Sequence, residues 1–147
     1  MKTALAAAAA LLLAPALAWS AEVPIKNFPA AGPAPGPAFS AAVMAGDTLY
    51  VSGTTDTDRA TGKPPPDPKD GARLVLNSIK ATVEGAGLTM DDLVWVQVMC
   101  SNLDYYAAFN EVYRNYFKGP LPARAFLGTD HLLGGAHFEV MGIAVKK

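Results

Sequence analysis

The chain has a single cysteine, Cys100, among 147 residues, so no intrachain disulfide can form. It lies in the apolar run VWVQVMCS, which predicts a buried structural thiol; a cysteine nucleophile needs a nearby base, and that run supplies none. Histidine is scarce too: His131 and His137 are too few for a typical zinc site without a cysteine or carboxylate cluster. Only 17% of residues are charged, the formal net charge is −1, and Lys and Arg nowhere cluster. This argues against a broad phosphate-binding surface, and so against nucleic acid as a partner. The G-x-S-x-G elbow, H-E-x-x-H, the phosphate-cradling P-loop and the dinucleotide-binding glycine pattern are all missing. Past the first 20 residues no segment is long and apolar enough to span a bilayer.

What is present begins at the N-terminus. MKTALAAAAALLLAPALAWSAEVP has a positive start at Lys2, an apolar run from Ala4 to Leu13, Pro15, and then A-x-A-like cleavage patterns. Residues 1–20 therefore read as a signal peptide, and export to the periplasm or the exterior is the expectation. Residues 21–38 form an arm rich in Pro, Ala and Gly, a composition that favours extended chain over helix. Residues 39–147 read as one domain, and half of the whole chain is hydrophobic, with mean hydropathy +0.20.

Within that domain, Ala41–Ala45 and Leu49–Gly53 read as a hairpin turning at Gly46-Asp47. The loop DTDRATGKPPPDP follows; Asp56 and Asp58 lack the spacing of a calcium loop and are expected as solvated acids. Asp67-Pro68 is a helix start, and Ala72, Val75, Leu76, Ile79, Val83 and Ala86 recur at helical spacing. A capping-box turn at Thr89–Asp92 leads into a strand, Val94–Ser101. Asp104 is placed to cap a second helix with the stripe Phe109, Val112, Tyr113, Tyr116 and Phe117. Strands at Ala123–Gly128 and His137–Val145 complete the order β-β-α-β-α-β-β, an α+β sheet with two helices on one face. The last strand is apolar on both sides, with Phe138, Val140 and Ala144 alternating against Met141, Ile143 and Val145. A sheet covered on one face does not need this, so another subunit is expected on the second face, making a homo-oligomer.

Two charges sit inside strands. Arg124, in LPARAF, and Glu139, in HFEVMGIAV, interrupt apolar runs, where an unpaired charge costs several kcal/mol. Either they pair with each other, or they face solvent, or they share a functional site. His137 reads as a surface or interface histidine, and His131 sits in a loop without an assigned role.

From Gly36 to Lys147 the motifs occur in the order of a known family. GPAFSAAV, LYVSG, GLTMDDLVWVQVMCSNLDYYAAFNEVYRNYF, LPARAF and HFEVMGIAV resemble the RidA/YjgF/YER057c/UK114 family, the reactive intermediate deaminases; NEVY and PAR are the most specific parts. The resemblance implies a chorismate-mutase-like fold, homotrimers, ligand clefts between subunits and no metal or organic cofactor. It also implies an enzyme that hydrolyses enamines and imines, such as 2-aminoacrylate and 2-iminopropanoate, to 2-keto acids and ammonia. Arg124 matches the family's carboxylate-gripping arginine and Glu139 the acid that positions water. Ser52 and Gly53 match its cleft-lining pair, Phe126 a position whose backbone helps to bind ligand, and Asn110 a helix position suited to a structural hydrogen bond. Phe39 stands where the family has tyrosine, Ala41 replaces a glutamine, and Gly71-Ala72 replaces a Gln-Thr pair; these departures mark a divergent member. A trimer that binds small carboxylates without turnover is the alternative. The endoribonuclease or translation-inhibitor role described for some members fits this charge balance less well.

Overall fold

The computed structural model describes residues 22–32 and 34–147; the signal-peptide segment lies outside them. Among the described residues, one six-stranded sheet carries two helices. Its strands are β1 (Ile25–Pro29), β2 (Ser40–Ala45), β3 (Thr48–Thr55), β4 (Leu93–Cys100), β5 (Ala123–Gly128) and β6 (Phe138–Val145). The helices are α1 (Pro68–Gly85) and α2 (Tyr106–Tyr113), and the order across the sheet is β1-β2-β3-β6-β4-β5. All neighbours are antiparallel except β4 and β5, which run parallel because α2 forms the crossover between them.

The sequence signals act as expected at most boundaries. Gly46 takes φ +59° in the β2–β3 turn, a conformation that only glycine adopts without cost. Asp67 caps α1 by accepting from the Lys69 backbone N–H at 2.8 Å, with Pro68 opening the first turn. At the Thr89 turn, Asp92 accepts from both the Thr89 N–H and its hydroxyl at 2.8 and 2.9 Å, which holds the Asp92 carboxyl below its ordinary pKa.

Two boundaries differ. Asp104 does not cap the second helix; Asn102 accepts from the Asp104 N–H at 2.9 Å and starts a short 3₁₀ turn, Leu103–Tyr105, that feeds α2. The amide lies two residues earlier and reaches the first free N–H, so it wins the capping position. The proline-rich arm also contributes more than extended chain. Ile25–Pro29 pairs antiparallel with β2 as an edge strand, where proline is tolerated because the edge needs no donor there.

The apolar stripe of α1 (Ala72, Val75, Leu76, Ile79 and Val83) is buried against Leu49, Val51, Val96, Val140 and Ala144 of the sheet. Beside it α2 sets Phe109 against Phe126 and Phe138, at 5.5 and 4.9 Å between ring centroids. The opposite face of the sheet carries a row of paired apolar residues, Tyr50, Ile143 and Trp95, together with Met141 and Met99. None of these is buried within one chain, and Tyr50 is half exposed.

Candidate functional site

Arg124 lies on the helix side of the sheet. In the parallel register it pairs with Val96, and Phe126 pairs with Val98; both valines are buried beneath the helices. The guanidinium carbon sits 4.6 Å from the Tyr113 ring centroid, 5.5 Å from Phe126, 5.9 Å from Phe109 and 6.0 Å from Tyr106. An aromatic box of this kind tolerates a weakly hydrated guanidinium where a lysine ammonium would lose its water. Nη2 donates to Asn110 Oδ1 at 2.7 Å, which fixes the plane of the fork. Nη1 is buried and has no hydrogen-bond partner among the described residues. Asn110, Tyr113, Pro122 and Arg124 border a pocket of about 240 Å³. The Tyr113 hydroxyl is likewise buried and unpartnered, and burial raises its pKa to about 12 against the opposing pull of Arg124, so the phenol stays neutral.

Glu139 lies on the other side. It stands between Thr55 and Met99 in the sheet, and its neighbours Phe138 and Val140 are the residues that turn inward. The β3–β6 register breaks between Val51 and Thr54, a bulge that contains Ser52 and Gly53. The Ser52 hydroxyl donates to the Ser40 carbonyl at 2.7 Å and closes the bulge over β2. A Cβ at position 53 would run into the Glu139 carboxyl oxygen, so glycine is what admits the acid there. Phe39, 58% exposed, joins Ser52 and Gly53 in the wall of a second pocket, about 440 Å³, between the end of α1 and the β1–β2 edge.

The six sequence-predicted residues thus fall into two groups. Arg124 and Phe126 belong to one, and Phe39, Ser52, Gly53 and Glu139 to the other. Since Arg124 and Glu139 project from opposite faces of one sheet, they do not pair with each other within a chain. Among the described residues no ion pair involves either of them.

The sequence reading missed three things. Asn110 was expected to make a structural hydrogen bond, but the group it holds is Arg124, one strand away. The aromatic box draws on α2 and β5 together, and no local pattern links them. Asp56, expected as a solvated loop acid, is fully buried. It accepts from the backbone N–H groups of His137 and Phe138 at 2.9 and 3.2 Å, and lies 3.1 Å from the His137 ring nitrogen. His137 is therefore mostly buried in a side-chain pair within the chain rather than exposed on its surface. Gly71 makes the room, since a Cβ there would collide with the Asp56 carboxyl. His131 is exposed and touches Asp130 at 2.8 Å. Cys100 is buried, its thiol faces the Asn102 carbonyl at 3.0 Å, and burial raises its pKa, as suits an inert structural residue.

Comparison with known proteins agrees with this architecture. Residues 30–146 match the family described as endoribonuclease L-PSP. The 2-iminobutanoate/2-iminopropanoate deaminase of Dermatophagoides farinae is 33% identical over 108 residues, covering 73% of this chain and 84% of that protein. The enzyme of the same name from Rattus norvegicus is 32% identical over 110 residues, covering 74% and 80%. Among solved structures, E. coli TdcF with bound serine superposes with a TM-score of 0.71 at 31% identity, covering 82% of this chain and 94% of that one.

Proposed function

The chain belongs to the endoribonuclease L-PSP family, the RidA/YjgF proteins, and on that premise we propose that it is an imine/enamine deaminase. The reaction would be C=N plus water giving C=O plus ammonia, on small 2-imino acids such as 2-iminopropanoate and its enamine tautomer 2-aminoacrylate. The observation that carries this reading is the state of Arg124: a guanidinium oriented through Nη2 by Asn110, with Nη1 buried and unpartnered beside a pocket. A buried orphan donor costs about 1–3 kcal/mol, and a ligand carboxylate would satisfy it with a charge-assisted bond.

Glu139 would hold the attacking water. Its carboxylate accepts a proton as water adds to the electrophilic imine carbon, and the resulting carbinolamine expels ammonia while the oxygen becomes the keto group. The imine needs little activation, so positioning of carboxylate and water supplies most of the help. Because Arg124 and Glu139 leave the sheet on opposite sides, this scheme requires two chains. We propose a homotrimer in which Arg124 of one subunit faces Glu139, Gly53 and Phe39 of the next; the apolar row of Tyr50, Ile143 and Trp95 supports it by needing a cover. Export through the N-terminal signal belongs to the same proposal.

The test is direct. Generate 2-iminopropanoate in situ with an amino-acid oxidase and follow its decay with the purified protein. Acceleration by the wild type, lost in Arg124→Ala, supports the reading. A wild-type protein that leaves the decay rate untouched sinks it for this substrate, and thermal shifts by 2-keto acids would then favour the carboxylate-binding alternative.

A further inference from the structure

The pocket at the end of α1 contains a cation that the proposed reaction does not use. Arg59, in the loop after β3, lines it together with Phe28, Phe39, Thr54 and Thr82. Among the described residues no Asp or Glu lines this pocket and no carboxylate forms an ion pair with Arg59. The acids nearby in sequence are engaged elsewhere. Asp58 accepts from the Ala60 and Thr61 backbone N–H groups at 2.7 and 3.0 Å, and Glu84 lies 3.8 Å from Lys80. Lys26 adds further positive charge beside the pocket, its ammonium 4.8 Å from the Phe28 ring centroid.

The rest of the wall is apolar or carries hydroxyl groups. Phe28, Phe39 and the arm's Pro29, Ala30, Ala31 and Pro37 give flat, carbon-rich surfaces. The Ser78 and Thr82 hydroxyls donate to the Leu74 and Ser78 carbonyls of their own helix at 3.1 and 3.0 Å, so neither offers a free proton. Within one chain a negative group entering here has Arg59 as its charged partner, and an apolar body has the two phenylalanines.

We propose that this pocket binds an anion with a flat apolar body, an arylalkyl carboxylate in the simplest case, with Arg59 on the acid and Phe28 and Phe39 against the ring. A cleft lined by apolar side chains with one placed charge is the usual form of a small-molecule site. The inference shares Phe39, Ser52 and Gly53 with the function proposed above but not its chemistry.

The experiment titrates the purified full chain with phenylacetate and, separately, with its neutral isostere phenylacetamide. Phenylacetate is expected to bind at least tenfold more tightly than the amide, and Arg59→Gln is expected to weaken it tenfold or more with no change in melting temperature. Removing a like charge elsewhere, by Lys80→Gln, is expected to leave it alone. Equal binding of acid and amide, an Arg59→Gln affinity equal to wild type, or a loss confined to Arg124→Ala would each overturn the assignment. Imine decay is followed in the same preparations. Binding through Arg59 without acceleration counts against the deaminase alone, and acceleration without phenylacetate binding counts against this inference alone.

Discussion

At the scale of single residues, two buried polar groups show how the fold constrains chemistry. Asp56 is fully buried; it accepts from the His137 and Phe138 backbone N–H groups and lies 3.1 Å from the His137 ring nitrogen, joining the end of β3 to the start of β6. Asp56→Ala would strand the His137 and Phe138 N–H groups, and a loss of about 3 kcal/mol in chemical denaturation is expected. Asp56→Asn keeps an acceptor for the backbone and should lose less. Tyr113 is the second case. Its folded pKa of about 12 lies above the ordinary phenol value of about 10. The proton is thus held more tightly in the folded state, so this contribution to stability is complete below pH ~10 and is lost as the pH rises through about 12. Denaturation at pH 9 and pH 11 should show a steeper loss for the wild type than for Tyr113→Phe.

At the scale of elements, the decisive feature is the bulge in β3. Extra residues at Ser52 and Gly53 break the ladder with β6 and let the Glu139 carboxyl close on the backbone at position 53. Gly53→Ala would push that carboxyl aside. The expected result is a folded protein with a modest loss of stability, about 1–2 kcal/mol, and at least a tenfold loss in kcat for imine hydrolysis, with little change in keto-acid affinity through Arg124. Wild-type turnover in Gly53→Ala would show that the placement of Glu139 against the bulge is immaterial. The parallel β4–β5 pair plays the matching part for Arg124: α2 is the crossover, so the helix that carries Asn110 and Tyr113 necessarily passes over the strand that carries the arginine.

At the scale of the whole molecule, the proposed division of the site between two subunits predicts complementation. Arg124→Ala keeps an intact Glu139 side, and Glu139→Gln keeps an intact Arg124 side. If each site draws one half from each of two neighbours, unfolding and refolding an equal mixture of the two inactive variants should regain about a quarter of wild-type activity, since random assembly makes about one site in four from two intact halves. A mixture as inactive as its components would argue that both residues act within one chain, against their placement on opposite faces of the sheet.

The sequence by itself determined the two helices and the strands of the domain from residue 39 on, the helix start at Asp67, the capping-box turn at Thr89, the Gly46 turn, the two-faced apolar strands and the family motifs around Arg124 and Glu139. These are local signals: periodicity, capping chemistry and backbone preference act over a few residues and need no distant partner. Tertiary structure alone decided that Asn110 orients Arg124, that four aromatic rings surround it, that Gly71 houses a buried Asp56, and that Arg59 and Phe39 share a pocket. It also put Arg124 and Glu139 on opposite faces of the sheet, which strand alternation alone could not foresee. Which face a strand residue takes depends on register with its neighbours, and register is set by crossovers and bulges far from the residue concerned.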